Sequence, residues 1–184
     1  MPRAMLKERA YKSGTPFDAD SFRIFVKERS YPFALEKAIS LLSLRARTER
    51  EIVEALRRNV YPEETIARVM ARLNESGYVN DSEFAVQFSS SRLSRGMGVR
   101  RIRMELARKG VDSSTVDDAV SLLENDDILE SAIKTARKYS RGKDINDRSD
   151  LQKVLAALAR KGFDYSVSRE AVQHLICESA ELQE

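Results

Sequence analysis

The sequence predicts an all-α protein made of three three-helix repeats in tandem, a curved and elongated array, and three observations carry that prediction. Residues 106–112 read LARKGVD and residues 158–164 read LARKGFD, with the apolar positions around both copies in register; self-similarity at a fixed period marks a repeat architecture. Apolar residues recur at intervals of three and four over most of the chain, which is the period of a helix with one buried face. Only 7 Gly and 4 Pro stand among 184 residues, which favours helix over sheet.

Residues 1–33 form an extension expected to be partly ordered, because they mix charges, Gly14, Pro16 and Pro32 with aromatics that keep no sustained period. Within it SFRIFV fits either a short strand or one helical turn docking Phe22 and Phe25 on the core. The first repeat is expected over 34–80. Leu35, Ala38, Ile39 and Leu42 stand at helical spacing, Thr48 and Glu51 form a capping box ahead of Ile52 and Leu56, and Pro62 opens a third helix carrying Ile66, Val69, Met70 and Leu73 before Gly77 ends it.

The second repeat, 81–125, follows the same order about fifty residues on. Asn80 and Asp81 are cap candidates before Phe84, Ala85 and Phe88; Val99, Ile102 and Leu106 mark the second helix; Val116, Ala119, Val120 and Leu123 mark the third, behind Asp112. The third repeat, 126–184 with the C-terminal tail, is offset by fifty-two because SRGKDINDRSD lengthens its first connection. Its stripes are Leu129, Ala132, Ile133 and Ala136, then Leu151, Val154, Leu155 and Leu158, then Ala171, Val172, Leu175 and Ile176. In both LARKG copies the Leu belongs to the buried face of a second helix, Gly110 and Gly162 supply its C-cap, and Asp112 and Asp164 cap the helix that follows. A segment of roughly forty-five residues buries too little apolar surface to stand alone, so the repeats are expected to stack.

Little in the sequence suits catalysis. His174 and Cys177 lie three residues apart, but two ligands are too few for a closed zinc site and no other Cys or His exists; they read as an interfacial histidine and a buried thiol. SRGMGVRR has Gly96 and Gly98 ahead of a helix but lacks the Gly-Lys-Ser/Thr of a P-loop and follows no strand. Those glycines stop one helix and start the next, in basic surroundings that suit a nucleic-acid phosphate. NDD at 125–127 reads as a helix N-terminus. No cofactor and no metal are expected. With no apolar core in the opening residues and no run of about 20 apolar residues, no membrane contact is expected and cytoplasmic residence is. A monomer is expected, since no exposed apolar heptad invites pairing.

Charge is more informative. The net charge is only +3, yet Arg92, Arg95, Arg100, Arg101, Arg103, Arg108 and Lys109 are opposed over their stretch by Glu105 alone. Arg45 and Arg58 in the first repeat and Arg160 and Lys161 in the third stand near equivalent positions. A basic run at a helix end is commonly a solvated face, but three equivalent runs favour a surface for phosphate or for an acidic protein.

The residues TEREI at 48–52, SGYVNDSEFA at 76–85 and GVRRIRMELARKGVD at 98–112 resemble, in order, the motifs of the RecX regulatory proteins, bacterial modulators of the RecA recombinase. Asn59 and Val60 depart from the pattern where later repeats have Lys-Gly, so the second helix of the first repeat is expected to end differently. The resemblance implies a non-catalytic regulator that binds the RecA filament on single-stranded DNA, spans adjacent subunits and inhibits ATP hydrolysis and strand exchange, in recombination, DNA repair and the SOS response. On that reading the eleven bases Arg45, Arg58, Arg92, Arg95, Arg100, Arg101, Arg103, Arg108, Lys109, Arg160 and Lys161 meet recombinase or DNA, the latter weakly or within the filament. Tyr78 and Phe84 are then core at the repeat junction. The rival reading is a helical DNA-binding protein that needs no recombinase.

Overall fold

A computed structural model describes residues 18–181, and among these the chain forms nine α-helices and no strand. The first repeat holds α1 (Ala19–Leu42), α2 (Glu49–Arg58) and α3 (Glu63–Glu75); the second α4 (Asp81–Ser94), α5 (Val99–Arg108) and α6 (Ser113–Ser121); the third α7 (Asn125–Ser140), α8 (Arg148–Lys161) and α9 (Tyr165–Glu181). The described residues up to Phe84 make one compact unit and those from Ala85 another, so the division falls inside α4.

In the first unit, α1 begins at Ala19, well ahead of the expected start at 34, and SFRIFV lies within it as helix. Residues 1–17 of the expected extension lie outside the described residues. Asp18 caps the helix by accepting from the Asp20 N–H at 3.1 Å. The chain stays helical through Pro32 although a proline removes a backbone donor and crowds the preceding turn, because Val26, Ser30, Ala34 and Ala38 make one narrow buried stripe. Such small side chains let α1 approach α3 closely, and Ser30 Oγ meets Thr65 Oγ1 at 2.6 Å in the interior. The stripe leaves Ile39 exposed, contrary to its expected place on the buried face. Ala34, Ala38, Ile52, Leu56, Ile66, Val69, Met70 and Leu73 form the core of this unit.

The expected capping box is present: Glu51 N donates to Thr48 Oγ1, and Thr48 N donates to Glu51 Oε2. Asn80 caps α4, taking the N–H groups of Ser82 and Glu83 at 3.1 Å. Asp81 does something else: it accepts from Glu49 N at 2.9 Å, closing an otherwise open donor in the first turn of α2. The two motifs TEREI and SGYVNDSEFA are thus tied by a hydrogen bond. Tyr78, expected in the core, is 65% exposed, whereas Phe84 is half-buried.

The second helices of all three repeats end alike. Tyr61 N reaches Leu56 O, Val111 N reaches Leu106 O and Phe163 N reaches Leu158 O, each across a residue of positive φ. That residue is Gly110 (φ 87°) and Gly162 (φ 90°) in the later repeats but Val60 (φ 59°) in the first, so the expected difference in ending is one of residue and not of geometry. A β-branched residue in the left-handed region is strained by roughly 1–2 kcal/mol. Because the Val60 side chain is largely exposed, little packing offsets that cost. Val60→Gly is therefore expected to stabilise the first unit by about 1 kcal/mol after the greater freedom of glycine in the unfolded chain is counted. Urea denaturation reads this directly, and a lower midpoint would contradict it.

The second unit buries Ile102 and Leu106 on α5, Val116, Ala119 and Val120 on α6, Ala132 and Ala136 on α7, Val154 and Leu158 on α8, and Ala171, Val172 and Leu175 on α9. These are positions that the period assigned to the core. Ser131 on α7 donates to Leu93 O at 2.5 Å, fixing the third repeat against the end of α4.

Candidate functional site

The densest basic stretch surrounds the turn between α4 and α5, and there the two LARKG-containing repeats meet. Gly98 N donates to Lys161 O at 2.9 Å and Arg100 N donates to Gly162 O at 3.1 Å, so the start of α5 is seated on the end of α8. The positive end of one helix dipole thus faces the negative end of another. That apposition explains how α5 can begin with Arg100 and Arg101 and no acidic residue in its first turn.

The contact requires glycine on both sides. A Cβ on Gly98 would lie 2.2 Å from Phe163 N and 2.3 Å from Gly162 C, and one on Gly162 would lie 2.5 Å from Arg101 N. Gly96, with φ at 76°, packs against Thr135 in the same turn. The glycines read in the sequence as helix punctuation also form a backbone junction between repeats, and two of the N–H groups that suited a phosphate are taken by the carbonyls of Lys161, which ends α8, and of Gly162, which caps it. Arg95 and Arg100 on one side and Arg160 and Lys161 on the other are gathered around this junction. Arg108 and Lys109 lie at the far end of α5, about 15 Å away along a ten-residue helix.

Ten of the eleven sequence-selected bases divide into two groups, and the eleventh, Lys109, lies beside an aromatic ring. Arg45 makes a bidentate pair with Glu51, at 3.1 and 3.2 Å. Glu105 takes both Arg92 and Arg101 at 3.1 Å and is itself mostly buried, which accounts for the lone acid in the basic run. Arg100 pairs with Asp164 at 2.5 Å, across the repeat junction, and Arg103 pairs with Asp117 on α6. Asp164, expected as a side-chain cap for α9, is engaged here with Arg100 while its carbonyl accepts from Ser168 N. Arg92 also lies over the Phe88 ring, 4.6 Å from its centroid, and Lys109 approaches the same ring at 5.7 Å. That aromatic platform carried no signal beyond an apolar position in a stripe.

Arg58, Arg95, Arg108 and Arg160 are exposed and make no ion pair among the described residues; Lys161 is half-buried and makes none either. These are the cations free to meet a partner. Neither partner choice nor pairing was readable from the run itself, since Glu51, Asp117 and Asp164 lie at helix ends or on neighbouring helices.

Asp112 caps α6 as expected, accepting from Thr115 N at 3.0 Å and from the hydroxyls of Ser114 and Thr115. Those hydrogen bonds hold its carboxyl well below the ordinary value of 3.8. A depressed folded-state value contributes stability that is present above the unfolded value and lost as pH falls below it. Asp112→Ala should accordingly be less stable than the parent near neutrality and should lose less stability on acidification below pH 3.8. Urea midpoints across that range test this, and parallel acid branches for the two proteins would contradict it.

His174 and Cys177 are both exposed, correcting the expectation of a buried thiol. Among the described residues no group of three or more His, Cys, Asp or Glu side chains is placed to hold a metal ion. No helix among them is long and apolar enough to cross a membrane.

Comparison with known proteins matches three models in chain order: the RecX first three-helix domain over residues 34–73, the second over 80–120 and the third over 125–172. The chain is 34% identical over 164 residues to the regulatory protein RecX of Amycolatopsis mediterranei (strain U-32), covering 85% of this chain and 93% of that one. It is 30% identical over 179 residues to the regulatory protein RecX of Clostridioides difficile (strain 630), covering 94% and 84%. A crystal structure of a regulatory protein RecX superposes with a TM-score of 0.70 at 26% identity, covering 90% of this chain and 83% of that one. RecX from Lactobacillus salivarius shares the fold with a TM-score of 0.73 at 24% identity, over 80% and 97% of the two chains. Three matching domains in order, on an all-helical frame whose motifs explain one another physically, establish that the chain belongs to the RecX family of regulatory proteins.

Proposed function

We propose that this protein binds a RecA recombinase filament on single-stranded DNA and lowers its ATP hydrolysis and strand exchange, in recombination, DNA repair and the SOS response. The observation that carries the reading is the domain-by-domain match to regulatory proteins of one family over most of the chain. The protein acts on this reading without catalysis or cofactor, as a cytoplasmic monomer. Its eleven selected bases take unequal parts. Arg58, Arg95, Arg108 and Arg160, together with Lys161, face acidic filament surface or DNA phosphate, and Lys109 adds to that face from its place beside the Phe88 ring. Arg45, Arg92, Arg100, Arg101 and Arg103 hold the helices that present them, because each has an internal carboxylate partner.

Unpaired exposed arginines also favour the second reading, direct binding to DNA phosphate. Fluorescence anisotropy on labelled single-stranded DNA separates the two. With recombinase and nucleotide present, the first reading expects binding at concentrations far below those needed on naked DNA. Equal affinity with and without recombinase would favour the second reading and overturn the first.

A further inference from the structure

From Gly110 to Ile133 every charged side chain is acidic, in a chain whose net charge is +3. This stretch borders a cleft of about 540 Å³ within the second unit, between α6, the start of α7 and the start of α9. Its walls mix apolar side chains, chiefly Val120, Leu123, Leu129 and Phe163, with the polar Ser121 and Asn125 and with carboxylates. Asp164 is neutralised by Arg100, which leaves Asp126 and Glu170, exposed residues with no ion pair among the described residues. Two large apolar side chains sit directly beside lining residues and are left to solvent: Leu122 at 66% exposure, between Ser121 and Leu123, and Tyr165 at 71%, after Asp164.

We propose that this cleft is a docking site for a segment of a partner protein that carries Lys or Arg beside a bulky apolar residue. The apolar side chain enters between α6 and α9, Leu122 and Tyr165 cover its flanks, and Asp126 and Glu170 meet the cation. Charge complementarity selects this occupant: an acidic segment or a nucleic acid would bring further negative charge to Asp126 and Glu170, and a neutral apolar ligand would leave both carboxylates unpaired. The site adjoins the repeat junction, where its Asp164 pairs with Arg100, but its two unpaired carboxylates are on α7 and α9 and the proposal does not depend on the recombinase reading.

The test uses the full chain without recombinase or DNA and a fluorescein-labelled peptide of alternating Lys and Leu with a central Tyr, beside two controls: the same peptide with Glu for Lys, and one with Ser for Leu and Tyr. The Lys-Leu peptide should bind and both controls should not. Asp126→Lys with Glu170→Lys should weaken binding at least about tenfold, and Leu122→Ser with Tyr165→Ser should weaken it without any change of charge. All four positions are exposed, so an unchanged thermal midpoint will show that the fold is intact. Absent binding, equal binding of the Glu peptide, or binding indifferent to both double variants would overturn the proposal. So would sedimentation showing that the parent dimerises and the charge-reversed variant does not, since that would assign the cleft to a second copy.

Discussion

Gly98→Ala is expected to be the most damaging single-methyl change in the second unit. The added carbon would lie within 2.3 Å of two backbone atoms, Phe163 N and Gly162 C, which cannot rotate away. The start of α5 must withdraw, and the hydrogen bonds from Gly98 and Arg100 to the end of α8 lengthen or break together. Overpacking and the loss of two backbone hydrogen bonds, one of them from the buried Gly98, together cost about 3 kcal/mol or more, and the thermal midpoint of a unit of this size falls by roughly 10 °C or more. Gly77→Ala is the control: its φ of 67° is strained for alanine, but no atom lies within 4 Å of the new carbon. Its expected loss is about 1 kcal/mol. Thermal unfolding of both variants distinguishes a close backbone junction from a mere glycine turn, and equal losses would contradict the junction.

Charge reversal at the uncommitted bases is expected to separate function from stability. Replacing Arg95, Arg108 and Arg160 by Glu removes no ion pair formed by the described residues, so the thermal midpoint should stay within about 2 °C of the parent. If these side chains face filament or phosphate, the same triple variant should require at least about tenfold more protein to inhibit the recombinase. Arg100→Glu together with Arg103→Glu should behave in the opposite way. It places like charges beside Asp164 and Asp117 and should lower the midpoint measurably. Thermal melts and inhibition titrations on the two variants give a crossed pattern, whereas equal loss of inhibition without any loss of stability would show that the internally paired arginines also face the partner.

The repeat architecture was legible because its cause is local. Ile52, Ile102 and Leu158 are fully buried since the 3.6-residue period fixes which face of a helix they share. The capping of α2 by Thr48 and of α6 by Asp112 was legible for the same reason: a cap and its donors lie within three residues. What escaped reading depends on residues distant in sequence. Proline at position 32 argued for a boundary, yet packing of Ser30, Ala34 and Ala38 against α3 carries the helix through it. Val60 argued for a different helix ending, yet the fold imposes the left-handed turn that glycine adopts without strain elsewhere. Among the basic residues, charge clustering located the region but gave no sign of which arginines were spent internally. Arg100 and Asp164 lie sixty-four positions apart, and only the seating of α5 on α8 brings them together.

The measurement that tests the account most directly is ATP hydrolysis by the cognate recombinase on single-stranded DNA, with this protein titrated from far below to equal its concentration. The expected result is inhibition at substoichiometric protein, with the Arg95, Arg108 and Arg160 triple variant shifted to higher concentration. Unchanged hydrolysis up to equal concentration, by a protein shown to be folded, would contradict filament regulation.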